Sequence, residues 1–595
     1  MKDAKNDHSI NNLIADCISV FTIILASFLF LWMLTTANRG LDYSDDAYSY
    51  FWARYPFEYR FAIRLSGFFL HPIDLLVNHS LAGLRMVGMF LTAAIGVLIG
   101  IVTANRVSGI SARLAKADFI AACALAIFIG CIHWLNTPSY QLMTVWGLGL
   151  LLAGFTILAR RPPSSIAAQL CTASLISGGG LILAFAKIPT AMVAGALTIG
   201  LVLCAYDQSK VARWHLLGLI VLVEALLFAV TAALLSPSYI VELLREGVSL
   251  RSGYGGLFDL LLKHLADFRN MPPKFVVIIA ISATSILTTL VPSAYLCAFR
   301  VAPSTIALTL GAIAICGALA FSNPVQPILD RYDVYNHGIQ MTVLAFAALT
   351  LATAVYRYRK QAIRRETVVL VMLMILAPWV ASLGTGNNFL AHTAAYSGFS
   401  GLAIIVANLE MPNLVARATR LFVVLMSGAI LYVAAQHPYR LNRPVPDQNV
   451  PAKLDGLNGG IVLVDAPTAS FFSNLHDGAR AGGLSAGMPL FDLAGFGPGF
   501  NLALGTKPPV YPWIAAGYPN SPAILDKIWS LTPQADRERA WVIGPIHESF
   551  QGATALNFLM PLDLNYELVL RIAEPQTGMN IELWRPRNTI VHGKL

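Results

Sequence analysis

Apolar segments long enough to cross a membrane recur along the first three quarters of this chain. From a rise of roughly 1.5 Å per helical residue, we predict about thirteen membrane-crossing helices. In a bilayer core every backbone N–H and C=O must be paired within the protein, so such segments fold as helices. The predicted segments are residues 10–37, 81–104, 118–135, 142–159, 166–186, 188–206, 214–235, 275–299, 303–321, 338–356, 367–384, 396–409 and 420–436.

The amino-acid composition excludes an ordinary soluble protein. Of 595 residues, 56% are hydrophobic and only 12% are charged, far from the balance of soluble domains. The first apolar segment is too long for the apolar region of a cleaved signal peptide, and many segments follow it. We therefore predict a retained signal-anchor. The net charge of +9 is explained by basic loops between the segments, so we expect no nucleic-acid partner.

The basic loops predict the orientation of the chain. Lys and Arg concentrate in alternate loops, for example Arg113 and Lys116 in one and Arg364 and Arg365 in another. Such loops face the cytoplasm. The N-terminus is therefore predicted to be cytoplasmic, and an odd number of crossings would carry everything after Gln436 outside. We expect a multi-pass protein of the inner (plasma) membrane with a periplasmic C-terminal segment.

The C-terminal segment differs in character from the rest of the chain. We divide the protein into a transmembrane catalytic domain at 1–436 and an extracytoplasmic domain at 437–595. The second part is rich in Pro and Gly, has no cysteine, and has apolar runs of strand length. A mixed α/β domain is therefore predicted. Its predicted elements are strands at Ile461–Asp465, Ala540–Gly544, Glu567–Ile572 and Asn580–Trp584 and a helix at Ala523–Leu531.

Three carboxylates lie just beyond the first apolar segment. Asp42, Asp45 and Asp46 fall within five residues, at a membrane surface where a carboxylate can stay ionised and still reach a lipid headgroup. One Asp is enough to cap the helix that begins here. A functional site is compatible with such a cap, and the clustering favours it in a chain so poor in charge. Asp45 and Asp46 are the candidate catalytic residues, and Asp42 is a candidate substrate contact.

The rest of this first outer loop suggests an interfacial helix. We predict that it begins near Pro56, with rings in the acyl region and cations at the level of the phosphates. Ordinary anchoring at the membrane surface explains the pattern equally well. The cationic side would carry Arg60, Arg64 and His71, and the apolar side Phe61, Leu65, Phe68 and Phe69.

Other loops predicted on the same side supply candidate substrate contacts. A glycine-broken stretch between two helical patches carries Arg251 and would suit either a mobile gate or a flexible connector. A lysine at the end of a span can extend to the interface or bind a lipid phosphate. The candidate contacts are Lys187, Arg251, Arg331 and His337 for a phosphate and Asn387 and Asn388 for hydroxyls.

The layout resembles the GT-C superfamily of integral-membrane glycosyltransferases. In its protein mannosyltransferase, aminoarabinose transferase and arabinosyltransferase families, an acidic pair lies in the first outer loop. Asp45-Asp46-Ala-Tyr48 matches that motif, and Gly384-Thr-Gly-Asn387-Asn388 resembles a Gly-Thr-Asn-Asn stretch of the arabinosyltransferases with one extra glycine. The resemblance covers about residues 1–436 in layout, but only these motifs in sequence.

The resemblance implies inverting transfer of a sugar from a polyprenyl-phosphate donor. The acceptor would be a cell-envelope glycan, a lipid or a protein. Asp45, with Asp46 as second choice, would remove the acceptor proton, and Arg60, Arg64, Lys187 or Arg331 would bind the leaving phosphate. The cofactor is left open, with a divalent cation such as Mg²⁺ or Mn²⁺ used by some relatives.

Other functions also fit the sequence. A secondary transporter or a lipid or glycan flippase buries ionisable residues near the membrane midplane, where Glu224 is the clearest candidate. A polysaccharide polymerase or ligase with a diphosphate-linked donor also works at the outer face. A scaffold whose outer domain binds glycan is the fourth reading. Membrane lipids are expected partners in every case, and the oligomeric state is open.

Overall fold

The computed structural model describes most of the chain outside one large central gap. Between positions 343 and 361 only scattered residues are described. The described ranges are 2–62, 64–105, 112–130, 137–160, 165–204, 210–251, 262–267, 343, 347, 350–351, 354–355, 357–359, 361, 363–384, 389–457, 461–495, 497–514, 516, 521–544, 546–576 and 578–587.

Helices dominate the described part of the membrane region. Their order follows the predicted apolar segments, and short amphipathic helices lie between the long ones. The helices before the central gap are α1 (Lys2–Thr35), α2 (Asp45–Arg54), α3 (Ser66–Leu76), α4 (Leu81–Thr103), α5 (Arg113–Ala126), α6 (Tyr140–Arg160), α7 (Ile166–Ala186), α8 (Ile188–Cys204), α9 (Lys210–Leu235) and α10 (Pro237–Arg251). Those after it are α11 (Arg365–Ser382), α12 (Phe389–Ala394), α13 (Gly398–Ala407) and α14 (Asn413–Gln436).

The prediction of a helical membrane protein is confirmed. Among the described residues, seven helices are long and apolar enough to span a membrane: α1, α4, α6, α7, α9, α11 and α14. The predicted total of about thirteen is not confirmed. Segments 275–299, 303–321 and most of 338–356 lie outside the described residues, and the described parts of segments 118–135, 188–206 and 396–409 form the shorter helices α5, α8 and α13, of 14, 17 and 10 residues. Lys187 separates α7 from α8 in extended backbone, with φ −162° and ψ 96°.

Glycines and buried ion pairs hold the spanning helices together. A Cβ on Gly179 of α7 would lie 2.7 Å from the carbonyl oxygen of Gly147 in α6, so these helices approach closely enough for backbones to touch. At the opposite end from the acidic cluster, Arg420 of α14 pairs with the fully buried Asp118 of α5 at 2.9 Å. Ser19 of α1 donates to the same carboxylate at 2.9 Å. These contacts fix α1, α5 and α14 against one another.

The C-terminal segment folds as the predicted α/β domain. Its sheet has the order β3-β4-β6-β5, in which β3 and β4 are parallel and the other neighbours are antiparallel. The strands are β1 (Val450–Pro451), β2 (Leu463–Val464), β3 (Leu490–Asp492), β4 (Trp541–Gly544), β5 (Tyr566–Ala573) and β6 (Asn580–Pro586). The helices are α15 (Ala466–Ala481), α16 (Gly499–Leu504), α17 (Ser521–Leu531), α18 (Gln534–Arg539), α19 (Leu556–Leu559) and α20 (Leu562–Asn565).

The four strands and the helix predicted from the sequence are all present, although β2 is shorter than its predicted run. Strand β3 was not predicted, because three residues that are buried on both faces carry no alternating pattern.

The loop that follows the first spanning helix packs against the C-terminal domain. The backbone N–H of Gly40 donates to the carbonyl of Leu463 in β2 at 2.7 Å, and that of Leu463 donates to Asn38 at 2.7 Å. The loop that carries the acidic cluster is therefore enclosed between the membrane helices and the α/β domain.

The interfacial helix predicted from Pro56 is wrong. Residues 56–62, 64 and 65 are turns and irregular backbone, and the helix α3 begins only at Ser66. The backbone N–H of Arg60 donates to Val510 of the C-terminal domain at 2.9 Å, and Phe61 stacks on Tyr511 with 4.2 Å between ring centroids. Both groups are thereby committed to the C-terminal domain, so the segment cannot lie as a helix with its rings in the lipid.

Candidate active site

Asp42 organises the acidic cluster. Its carboxylate accepts hydrogen bonds from the backbone N–H of Ser44 at 3.1 Å and of Asp45 at 2.7 Å, and from the Ser44 hydroxyl at 2.9 Å. This carboxylate therefore satisfies the first N–H groups of α2, as a capping residue does. Burial and the neighbouring charge of Asp45 raise the pKa of Asp42 to about 7.

Asp46 is held in a buried ion pair. Its Oδ2 accepts from the Arg85 guanidinium at 2.8 Å and from the backbone N–H of Asp42 at 3.1 Å. Arg85, in the first turns of α4, is 3% exposed. It also donates to Thr137 Oγ1 at 2.9 Å and to three backbone carbonyls of the segment 37–40. The pair thus ties the end of the first spanning helix to α2 and α4.

Asp45 keeps the most accessible carboxylate of the three. Its side chain is 41% exposed, and Oδ2 lies 3.8 Å from Nη1 of Arg440. Arg440 follows α14 and also donates to the Ser44 hydroxyl. Burial by the surrounding protein raises the pKa of Asp45, while the guanidinium groups of Arg440 and Arg64 oppose this rise. Asp45 is therefore the acid of the cluster that a ligand can reach most easily.

Arg64 is the second cation at this site. Its guanidinium carbon lies 3.3 Å from the ring centroid of Tyr140, at the start of α6. Burial raises the pKa of Tyr48, and the charge of Arg64 opposes this rise, so Arg64 acts on both Asp45 and Tyr48. A cation over an aromatic face in a desolvated place is held by roughly 2 kcal/mol.

A backbone hydrogen bond of the residue after Arg64 brings this segment close to Lys187. The N–H of Leu65 donates to the carbonyl of Phe185 at 3.1 Å, and Lys187 follows two residues later. Lys187 is 7% exposed and donates through Nζ to the carbonyl of Ala381 at 2.8 Å. The segment that carries Arg64 and the break between α7 and α8 are therefore neighbours in the fold.

Aromatic side chains of the C-terminal domain complete the surroundings of α2. The hydroxyls of Tyr48 and Tyr511 lie 3.1 Å apart, and the ring of Trp513 lies 5.8 Å from that of Tyr48. Tyr48 is half-buried and stands one turn from Asp45 on the same helix. The α/β domain therefore contributes directly to the walls beside the acidic cluster.

The structure brings together only some of the predicted contacts. Asp42, Asp45, Asp46 and Arg64 lie together, and Lys187 lies near Arg64. Arg60 is exposed, and His71 binds the carbonyl of Ala53 through Nδ1 at 2.7 Å, which positions α3 against α2. Arg251 ends α10, and its side chain is outside the described part of the protein. Predicted contacts that lie outside the described residues are Arg331, His337, Asn387 and Asn388.

Sequence reasoning missed Arg85 and Arg440. Arg85 had a detectable signal, because a single arginine inside a predicted span is costly unless it is paired. Arg440 had none, since about 400 residues of chain separate it from Asp45.

Comparisons with known proteins reveal two similar structures. No protein-family model matches the chain, and no curated protein sequence matches it. The crystal structure of ArnT from Cupriavidus metallidurans bound to undecaprenyl phosphate is 12% identical, with a TM-score of 0.43, over 95% of this chain and 97% of that chain. Its apo state is 11% identical, with a TM-score of 0.43, over 97% of this chain and 99% of that chain.

The described fold and site define the class of this protein. It is an integral membrane protein, predominantly helical, with a small C-terminal α/β domain packed onto a loop that follows its first spanning helix. At that junction a partly accessible aspartate lies 3.8 Å from Arg440, and the charge of Arg64 also lowers the pKa of this aspartate.

Proposed function

We propose that this protein is an inverting glycosyltransferase of the GT-C class that uses a polyprenyl-phosphate sugar. One observation carries the proposal. Asp45 is the accessible carboxylate of the acidic cluster, and it stands beside Arg440 and Arg64 at the end of a spanning helix. A carboxylate and guanidinium groups within one site are the two kinds of group that this transfer needs.

The chemistry assigns a role to each group. An acceptor hydroxyl is a weak nucleophile at neutral pH, so the Asp45 carboxylate takes its proton as the oxygen attacks C1 of the donor sugar. The bond from C1 to the phosphate oxygen breaks, and the oxocarbenium-like transition state is stabilised by the nearby negative charge. The leaving lipid phosphate takes the bonding electron pair and is bound by guanidinium groups.

The surroundings of the acids favour Asp45 over Asp46 as the base. Asp46 is already paired with Arg85 at 2.8 Å in a buried position, so its Oδ2 is engaged by a guanidinium and is not open to an acceptor hydroxyl. Both carboxylate oxygens of Asp42 accept hydrogen bonds from backbone N–H groups. Arg64 and Arg440 are the proposed phosphate ligands, and Lys187 lies close enough in the fold to serve the same lipid.

We place the site at the outer face of the inner (plasma) membrane, with the N-terminus in the cytoplasm and the C-terminal domain in the periplasm. Arg113 and Lys116 start α5, and Arg364 and Arg365 start α11. Under the positive-inside rule these ends face the cytoplasm, and the acidic cluster lies at the other end of α1. The acceptor is then a glycan, a lipid or a protein of the cell envelope.

The residues around Asp45 fit a divalent cation poorly. Oδ1 of Asp46 is buried without a hydrogen-bond partner within the described part of the structure, so this oxygen could accept an ion. Its other oxygen is bound to Arg85, and Asp45 faces Arg440. Two guanidinium groups already balance these carboxylates, so no step of the reaction is derived through a metal.

Chelation of divalent ions is therefore expected to leave transfer unchanged. The measurement is the initial rate of sugar transfer with and without EDTA, after the purified protein has been dialysed against the chelator. A loss of activity that Mg²⁺ or Mn²⁺ restores would contradict the assignment of phosphate binding to arginines.

Removal of the Arg440 charge is expected to move the acid limb of the pH profile upward. Arg440 opposes the rise in the pKa of Asp45, so Arg440→Gln raises that pKa further. Asp45 then stays protonated, and inactive as a base, up to a higher pH. The measurement is kcat/KM against pH, and the matched control is the exposed Arg443→Gln in the same loop. An acid limb that stays in place or moves down would contradict Asp45 as the base.

A donor panel tests the proposed function against its rivals. The purified protein in liposomes is given polyprenyl-phosphate sugars and, separately, diphosphate-linked sugars with the same acceptor extract. Transfer from the monophosphate donors alone supports the proposal, and transfer only from diphosphate donors supports a polymerase or ligase. Movement of labelled lipid between leaflets without any transfer would identify a flippase and overturn the proposal.

A further inference from the structure

A glycine-rich segment of the C-terminal domain packs closely against the backbone of Tyr43 and Ser44, which precede Asp45. We call residues 493–499, which follow β3 and are described apart from position 496, the glycine loop. The backbone N–H of Gly499 donates to the carbonyl of Tyr43 at 2.8 Å. A Cβ on Gly497 would lie 2.6 Å from Cα of Ser44 and 2.9 Å from the carbonyl oxygen of Tyr43.

The contact between the glycine loop and Tyr43–Ser44 leaves no space for an added side-chain atom. A Cβ on Gly499 would lie 2.6 Å from Cβ of Tyr43, so both glycines touch backbone or the root of a side chain rather than a flexible end. Gly497 also has φ +118°, a conformation that favours glycine. A methyl group at Gly497 can be accommodated only if Tyr43 and Ser44 move.

Asp492 holds the glycine loop through hydrogen bonds to its backbone. Its side chain is 4% exposed at the end of β3, and Oδ1 accepts from the backbone N–H groups of Ala494 at 2.9 Å and Gly495 at 3.3 Å. Oδ2 is buried and has no hydrogen-bond partner within the described ranges. Burying a carboxylate costs free energy unless the carboxylate is hydrogen-bonded. The two hydrogen bonds from the turn therefore fix the position of the Asp492 side chain.

The position of Ser44 in turn determines the surroundings of Asp45. Ser44 receives a hydrogen bond from Arg440, and its N–H and hydroxyl both bind Asp42. Asp45 is the next residue, and its N–H is held by the same Asp42 carboxylate. A displacement of Ser44 therefore changes both the direction of the Asp45 carboxylate and its distance from Arg440.

We infer that Asp492 and Gly497 are positioning residues for the proposed base: through the glycine loop they fix the backbone at Tyr43–Ser44 and so orient Asp45. The inference rests on the proposed function and gives the C-terminal domain a part in the transfer reaction. The C-terminal domain then forms one side of the active site. The membrane helices alone would not hold Asp45 in position on that side.

The test compares Gly497→Ala with Gly487→Ala. Gly487 lies in the same domain at φ +78°, and a Cβ there would meet nothing within 4 Å, so both substitutions strain a left-handed residue but only one touches Ser44. We expect Gly497→Ala to lower kcat by at least about tenfold, with an unchanged KM for the lipid donor and a shifted acid limb of kcat/KM. Gly487→Ala is expected to keep the wild-type kcat and pH profile. Equal losses in both variants would overturn the inference.

Asp492 is tested by a second pair of variants. Asp492→Ala removes the acceptor of both loop N–H groups and is expected to lower kcat as Gly497→Ala does. Asp492→Asn keeps Oδ1 as an acceptor and is expected to retain most of the activity. If Asn is as inactive as Ala, the anchoring role assigned to Oδ1 is wrong.

Hydrogen exchange separates failure of this inference from failure of the proposed function. Peptides that cover residues 43–48 are followed by mass spectrometry in the full-length protein, which requires no activity. Faster exchange in Gly497→Ala than in Gly487→Ala supports the positioning contact even if no sugar transfer is found. Equal exchange in this peptide would overturn the contact itself, whatever reaction the protein catalyses.

Discussion

Asp45→Asn is expected to lower the turnover of sugar transfer by about 10²- to 10⁴-fold, the range that a general base contributes. The amide has nearly the shape of the carboxylate but cannot accept the acceptor's proton. Because Asp45 is partly exposed and its carboxylate supports no buried hydrogen bond among the described residues, the protein should remain folded. The measurement is kcat with a saturating polyprenyl-phosphate donor.

Two further measurements show that the loss is chemical. Donor binding to Asp45→Asn, measured with the labelled lipid, is expected to be retained, because the proposed phosphate ligands are untouched. The matched control is Asp447→Asn, which changes an exposed carboxylate of the C-terminal domain and should leave turnover as in the wild type. An Asp45→Asn protein with wild-type turnover would end the assignment of Asp45 as the base.

Arg85→Met is expected to destabilise the protein by about 3–5 kcal/mol, the cost of breaking a buried ion pair from one side. Asp46 would keep a buried charge without its partner, and the carbonyls of Ala37, Arg39 and Gly40 would lose their donor. The acidic cluster would be displaced as well, so transfer should be lost together with stability. The measurement is unfolding by denaturant titration in detergent micelles.

The expected cause can be isolated with a second substitution. Asp46→Asn in the Arg85→Met background removes the unpaired charge and should recover part of the lost stability. The exposed control Arg245→Met, whose side chain is 72% accessible, should change stability by less than about 0.5 kcal/mol. If Arg85→Met were as mild as this control, the buried pair would not be what holds the acidic loop to α4.

Much of the fold could be predicted from the sequence, because helices in a membrane and strands in a small sheet each leave a periodic pattern. The break at Lys187 and the ends of α4, α7 and α9 fall close to the predicted bounds. The helix predicted from Pro56 does not form, for a tertiary reason. Its amphipathic pattern is real, but Phe61 stacks on Tyr511 and not on lipid.

The site was only partly predictable. The sequence points to three acids, but it does not say which of them stays accessible. That depends on Arg85, which neutralises Asp46 from another helix, and on Ser44, which binds Asp42 within the loop. Arg440 and the glycine loop reach the site from beyond the last spanning helix, and no local pattern marks a contact between such distant parts of a chain.

The proposed function requires that Asp45 face the headgroup of a polyprenyl-phosphate lipid across Arg64 and Arg440. A cryo-electron microscopy map of the protein in nanodiscs with a polyprenyl-phosphate lipid tests it most directly. We expect phosphate density within hydrogen-bond reach of at least one of these arginines, on the same side of the membrane as Asp45 and open to its carboxylate. Phosphate density at the opposite leaflet, or separated from Asp45 by protein, would contradict the account.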